Sequence, residues 1–186
     1  MKAKTTALIL AAAVLAAPPA LAQTTLFQPP EISKASSADD FNAVQQLVLH
    51  HGASVNTSDG KGKTPLMYAA INGNLEMAEF LLQRGANVHL ADKLGNTALL
   101  SSAEQGDVTV VERLLDAGAP IEKENRQGLT PLMAAARSGH LDVVRLLLAR
   151  GARTDRSDFS GRDALGWARD GRNPQVVAAL QKAASR

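Results

Sequence analysis

The stretch SDGKGKTPLMYAA, residues 58–70, interleaves Gly60 and Gly62 with Lys61 and Lys63 and follows them with Thr64, residue types able to cradle a phosphate. A phosphate loop has its first glycine five residues before the Gly-Lys pair, so that successive amide N–H groups curl around the anion. That position is Thr57 here, and the residues before Gly60 read ASVNTSD, with no apolar strand to aim a helix N-terminus at a nucleotide. The other chemistry-bearing residues assemble no better. There is no G-x-S-x-G elbow and no H-E-x-x-H pair. His50 and His51 are adjacent, so they point to different sides of a helix end, where their charge favours the dipole. His89 falls between repeats, and His140, which starts a helix, reads as structural. Ser138, Gly139 and His140 are too close in sequence to form a triad, whose groups are brought together by the fold. The absence of cysteine removes thiol catalysis and thiolate metal sites.

The elements that would position these residues follow a fixed period. DGKGKTPLMYAA from Asp59 is echoed by DKLGNTALLSSA from Asp92, NRQGLTPLMAAA from Asn125 and a degraded DFSGRDALGWAR from Asp158. Gly62, Gly95, Gly128 and Gly161 keep an interval of 33, as do Thr64, Thr97 and Thr130, and Gly85-Ala86, Gly118-Ala119 and Gly151-Ala152. A constant period of this size marks a stacked repeat, each unit burying its apolar face against its neighbours. The lysines around Gly62 do not recur, so Gly62-Lys63-Thr64 is a turn leading into a helix.

In each unit the threonine caps a first helix, and proline at position 65 or 131 opens it where no amide bond is lost. Gly73, Gly106 and Gly139 end that helix. A second helix carries Leu75, Ala78, Leu81 and Leu82, repeated as Val108, Val111, Leu114, Leu115 and as Leu141, Val144, Leu147, Leu148, one apolar stripe per helix. Only six aromatic residues occur, as expected for thin layers packed through alanine and leucine.

The pattern G-x-T-P-L-x-x-A-A-x-x-G-x-L-x-x-x-x-x-L-L-x-x-G-A, which reads GKTPLMYAAINGNLEMAEFLLQRGA at 62–86 and GLTPLMAAARSGHLDVVRLLLARGA at 128–152, resembles the ankyrin repeat. The resemblance covers about residues 33–184 and implies an all-α solenoid of helix-turn-helix units. The family's usual histidine after TPL is replaced by Met67, Leu100 and Met133, with Gly166 in the last repeat, which predicts looser turns. The expected organisation is an N-terminal capping repeat at 33–58, repeats at 59–91, 92–124 and 125–157, and a C-terminal capping repeat at 158–186, with a linker at 23–32.

Residues 1–22, MKAKTTALILAAAVLAAPPALA, have a different composition. Lys2 and Lys4, an apolar run from Ala7 to Ala17 and an Ala20-Leu21-Ala22 ending predict a cleavable signal peptide, leaving a mature chain from Gln23. Pro18-Pro19 breaks the run before it reaches the roughly 18 apolar residues of a membrane span. Brevity and alanine content point to the periplasm of a Gram-negative cell, with secretion beyond it as the alternative.

Without Lys2 and Lys4 the charges balance, but unevenly: residues 23–124 hold 7 basic and 13 acidic groups, and residues 125–186 hold 11 and 5. This asymmetry either steers an acidic partner to the C-terminal half or only solvates exposed faces. Export and a neutral total argue against nucleic acid. Arg137, Arg145, Arg150, Arg153 and Arg156 are a candidate membrane-surface patch, though no aromatic-rich amphipathic helix accompanies them.

The resemblance places binding on a concave face of turn tips and first helices. Its tip residues here are Lys61 and Lys63; Lys93, Leu94 and Asn96; Arg126, Gln127 and Leu129; Phe159 and Arg162. The first-helix ends add Asn72, Glu104, Gln105 and Arg137. Leu94, Leu129 and Phe159 either form an interface hot spot among the cations or tuck against their own turns. Trp167 is read as core or as a further hot spot. The implied function is non-enzymatic protein binding by a chain that is monomeric alone and carries no cofactor or metal. The resemblance extends to accessory factors whose partners include a periplasmic antioxidant enzyme or a toxin; a secreted effector acting on a host protein is the alternative.

Overall fold

The computed structural model describes residues 31–185, so the predicted signal peptide lies outside the described residues. Ten helices follow in chain order: α1 (Glu31–Ser37), α2 (Phe41–His50), α3 (Pro65–Asn72), α4 (Leu75–Gln83), α5 (Ala98–Gln105), α6 (Val108–Asp116), α7 (Pro131–Ser138), α8 (Leu141–Ala149), α9 (Ala164–Asp170) and α10 (Pro174–Ala184). Five antiparallel helix pairs stack in sequence order. The first helices α1, α3, α5, α7 and α9 form one layer, and the second helices form the other. The first layer packs the more extensively of the two, which bends the stack and leaves the turn tips and first helices on its inner side.

The local code works as the residues predict. Thr64, Thr97 and Thr130 accept the amides of Met67, Leu100 and Met133, and Asp163 accepts that of Gly166. Gly73, Gly106 and Gly139 close the first helices in the left-handed conformation. At Gly106 the need is double: φ is +90°, and a Cβ would come 2.4 Å from Nδ1 of His140, the cap residue of the next repeat. Two non-glycine residues take the same backbone state at the corresponding place in the terminal repeats, Asp39 (φ +57°) and Arg172 (φ +54°).

The core is a column of recurring positions. Leu66, Leu99 and Leu132 lie between the layers, and Leu81, Leu114, Leu147 and Leu180 are buried beneath the second helices. The apolar stripe is centred one residue earlier than predicted. Met77, Val110 and Val143 are fully buried beside Ala78, Val111 and Val144, while Leu75 and Leu82 sit at its margins. Met67, Leu100 and Met133, in the family's histidine position, are buried as apolar packing.

The N-terminal repeat is a whole helix pair. Its first helix starts at Glu31, inside the predicted 23–32 linker, because Ile32 packs into the core. Phe41 of α2 meets Phe80 of α4 edge to face at 5.7 Å. Among the described residues no helix is long and apolar enough to cross a membrane.

Candidate partner-binding surface

Each tip is built around one polar side chain, buried at Asp92, Asn125 and Asp158 and half-buried at Asp59. Asp59, Asp92, Asn125 and Asp158 stand 33 residues apart, and each accepts two amides of its own loop through Oδ1. For Asp59 these are Lys61 N–H and Lys63 N–H, both at 2.8 Å. The amides that a phosphate loop would offer to a nucleotide are thus spent on an internal carboxylate. Backbone bonds then join successive tips: Lys93 N–H to Lys61 O at 3.0 Å, Arg126 N–H to Leu94 O at 2.9 Å and Phe159 N–H to Gln127 O at 3.0 Å. Asn125 Nδ2 also donates to Asn96 Oδ1 at 2.9 Å. The looser turns predicted from the missing histidine are therefore not found; these bonds hold the tips within and between repeats. The tip Asp and Asn series was legible at the same period of 33 but carried no role in the sequence reading.

At the two ends of this ridge an aromatic ring braces the tip. Tyr68 Oη donates to Asp59 Oδ2 at 2.6 Å, with Lys63 Nζ 5.8 Å from the ring centre. Trp167 Nε1 donates to Asp158 Oδ2 at 3.0 Å, with the Arg162 and Arg137 guanidinium groups 4.9 and 5.4 Å from its ring centre. Burial pushes the Asp59 and Asp158 carboxyls up, yet the hydrogen bonds they accept outweigh it and hold both below the ordinary aspartate value. The Tyr68 hydroxyl is pushed up to about 12, by burial and then by the hydrogen bond to Asp59 and its charge.

The predicted surface residues divide sharply. Lys61, Lys93, Leu94, Arg126, Gln127 and Phe159 form an exposed row along the tips. Leu94 is 64% exposed, and Phe159 is 72% exposed with its ring edge leaning over Gly128. Leu129 is the correction: at 2% exposure it belongs to the core, its extended leg of the tip turning the only apolar side chain at that position inward over the first helices. Its equivalents Lys63, Asn96 and Arg162 are polar and stay partly or fully exposed. Asn72 uses its amide on Ser36 O and Asn96 uses its side chain on Asp92 and Asn125, so both brace the stack. Glu104 and Arg137 pair at 2.5 Å on the concave face, Arg162 pairs with Asp170 at 3.2 Å, and Gln105 is exposed. His140 Nε2 donates to Glu104 O at 3.0 Å, the structural role expected of it. Trp167 is half-buried, part core and part concave wall.

The candidate arginine patch is not free charge. Arg137, Arg150 and Arg156 reach back to Glu104, to Glu112 and Asp116, and to Glu124 in the preceding repeat. Arg145 pairs with Asp142 and Arg153 with Asp155. Much of the charge asymmetry along the sequence is therefore an ionic seam between the repeats at 92–124 and 125–157.

A curved stack of paired helices whose polar loops are consumed internally, with a hydrogen-bonded row of tips facing one side, is a repeat solenoid built for surface recognition. The sequence profile described as Ankyrin repeats (3 copies) matches residues 32–125 and 102–185, and the chain belongs to the ankyrin-repeat family. Its repeats make it a protein–protein interaction module. No curated protein is similar enough to the chain to count as a match.

Proposed function

We propose that the chain is an exported, non-enzymatic binding module that holds, protects or inhibits another periplasmic protein through its concave face. The observation that carries this reading is the continuous tip row, in which Leu94 and Phe159 stand exposed among Lys61, Lys93 and Arg126 on a backbone locked by bonds between repeats. Exposed apolar groups in a rigid, mixed-charge setting are what interface anchors require, because little ordering entropy is lost on docking. Export rests on the predicted signal peptide, 1–22.

Two measurements test this. Cell fractionation with N-terminal sequencing is expected to find the chain in the periplasm beginning at Gln23; an uncleaved cytoplasmic chain would contradict export. Affinity capture from periplasmic extract is expected to enrich one protein with the native chain and to lose it with Leu94→Ala/Phe159→Ala at unchanged helicity. Capture unaffected by that variant would move the surface elsewhere. A specific ligand found only in host extract would favour the secreted-effector alternative.

A further inference from the structure

The tips sort their charges by depth. The acids turn inward: Asp92 and Asp158 are each 8% exposed, and Asp59, Asp92 and Asp158 all accept loop amides. The cations turn outward, and among the described residues none of Lys61, Lys93 and Arg126 has a carboxylate within ion-pair distance. Arg137, Arg150 and Arg156 by contrast are paired with the preceding repeat, whereas Lys61, Lys93 and Arg126 follow one another along the row of tips with Leu94 and Phe159 exposed beside them.

From this we infer that the ridge receives an extended acidic segment of a partner protein, with apolar side chains set between its carboxylates. The inference rests on the protein-binding reading above and specifies its chemistry. Lys93 N–H bonds to Lys61 O, so those two cations stand side by side, and Arg126 lies one repeat beyond Lys93, about 8–10 Å on, the spacing of packed helix layers. An extended chain advances about 3.3 Å per residue. One carboxylate then meets the Lys61–Lys93 pair and a second, about three residues on, meets Arg126, while the apolar residues beside them reach Leu94 and, two tips on from it, Phe159. Asp59, Asp92 and Asn125 fix the loops that carry the cations through the amides their Oδ1 atoms accept. Desolvated contacts to Leu94 and Phe159 hold the segment, while the cations set its charge class and speed its approach.

The test uses the purified protein and a fluorescein-labelled 12-residue peptide with Glu at every third position and Leu and Phe between. Anisotropy is expected to show saturable binding that weakens as salt is raised. A Gln-for-Glu peptide should bind at least tenfold more weakly, and a Lys-for-Glu peptide not at all. Lys61→Glu/Lys93→Glu/Arg126→Glu should abolish binding with the thermal midpoint retained, and Leu94→Ala/Phe159→Ala should weaken it about tenfold while keeping the salt dependence. Equal affinity for the Glu and Gln peptides, or no loss in the charge-reversed variant, overturns the acidic class while the capture experiment still judges protein binding separately. Phosphatidylglycerol vesicles that bind as tightly as the peptide, and lose binding in the same variant, would overturn it in favour of an anionic surface. No binding of the Glu peptide at low salt overturns it outright.

Discussion

Tyr68 and Trp167 occupy the same position of the repeat, 99 residues apart, and each donates to the aspartate nine residues earlier in its own tip, Asp59 or Asp158. Between them the position holds Ser101 and Ala134, which carry no ring to brace the tip. Among the described residues the rings brace the first and last tips of the ridge, each with one neighbouring tip to lean on.

The Trp167–Asp158 pair predicts a specific acid response. Because the folded pKa of Asp158 is depressed, its contribution is fully present above the unfolded value of about 3.9 and is lost as pH falls through the lower folded value. Asp158→Asn keeps an acceptor for the loop amides, as Asn125 does, but cannot titrate. Urea midpoints read by Trp167 fluorescence between about pH 5 and 2 are expected to fall less steeply for the variant. Parallel curves would deny Asp158 this role.

Tyr68 gives the alkaline counterpart. Its folded pKa is raised, so the hydroxyl's contribution is intact below about 10 and lost as pH climbs through about 12. Tyr68→Phe should be less stable at neutral pH, yet lose less stability than the native chain across that window. An identical alkaline decline in both proteins would contradict the assignment.

Leu129→Ala should cost about 2–5 kcal/mol as a core truncation, whereas Leu94→Ala and Phe159→Ala should each stay within about 0.5 kcal/mol. Urea unfolding of the three single variants checks this. A tolerant Leu129→Ala, or a Phe159→Ala variant that unfolds early, would reverse the division between core and surface.

Arg172 holds a left-handed backbone where Gly73, Gly106 and Gly139 stand in other repeats. Arg172→Gly should therefore stabilise by about 1 kcal/mol, a rise of about 2–4 °C in midpoint for a chain of this size. A lowered midpoint in calorimetry would mean that the arginine side chain outweighs the backbone strain.

The repeat, its helix pairs and its caps were legible because each depends on residues close in sequence: a threonine and the amide three residues on, a glycine and its own φ. Leu129 was not. Lys63, Asn96 and Arg162 make its position look outward, and only the packing of the tip over the first helices turns leucine in. The arginines misled for the opposite reason. The partners of Arg137, Arg150 and Arg156 lie 32–38 residues back, at a distance that the stacking of whole repeats alone brings together. Glu31 and Ile32 extended the first helix past its predicted start because that terminal repeat lacks the Thr-Pro-Leu signal of the others.

The central claim, that the tip row is the docking surface, is tested most directly by blocking it. The chain has no cysteine, so Leu94→Cys on the ridge and Gln83→Cys on the exposed end of α4 each give one labelling site. After coupling to a bulky maleimide, the ridge-labelled protein should fail to retain the protein captured by the native chain, and the α4-labelled protein should retain it fully. Retention by the ridge-labelled protein together with loss by the α4-labelled one would place binding on the opposite face and contradict the account.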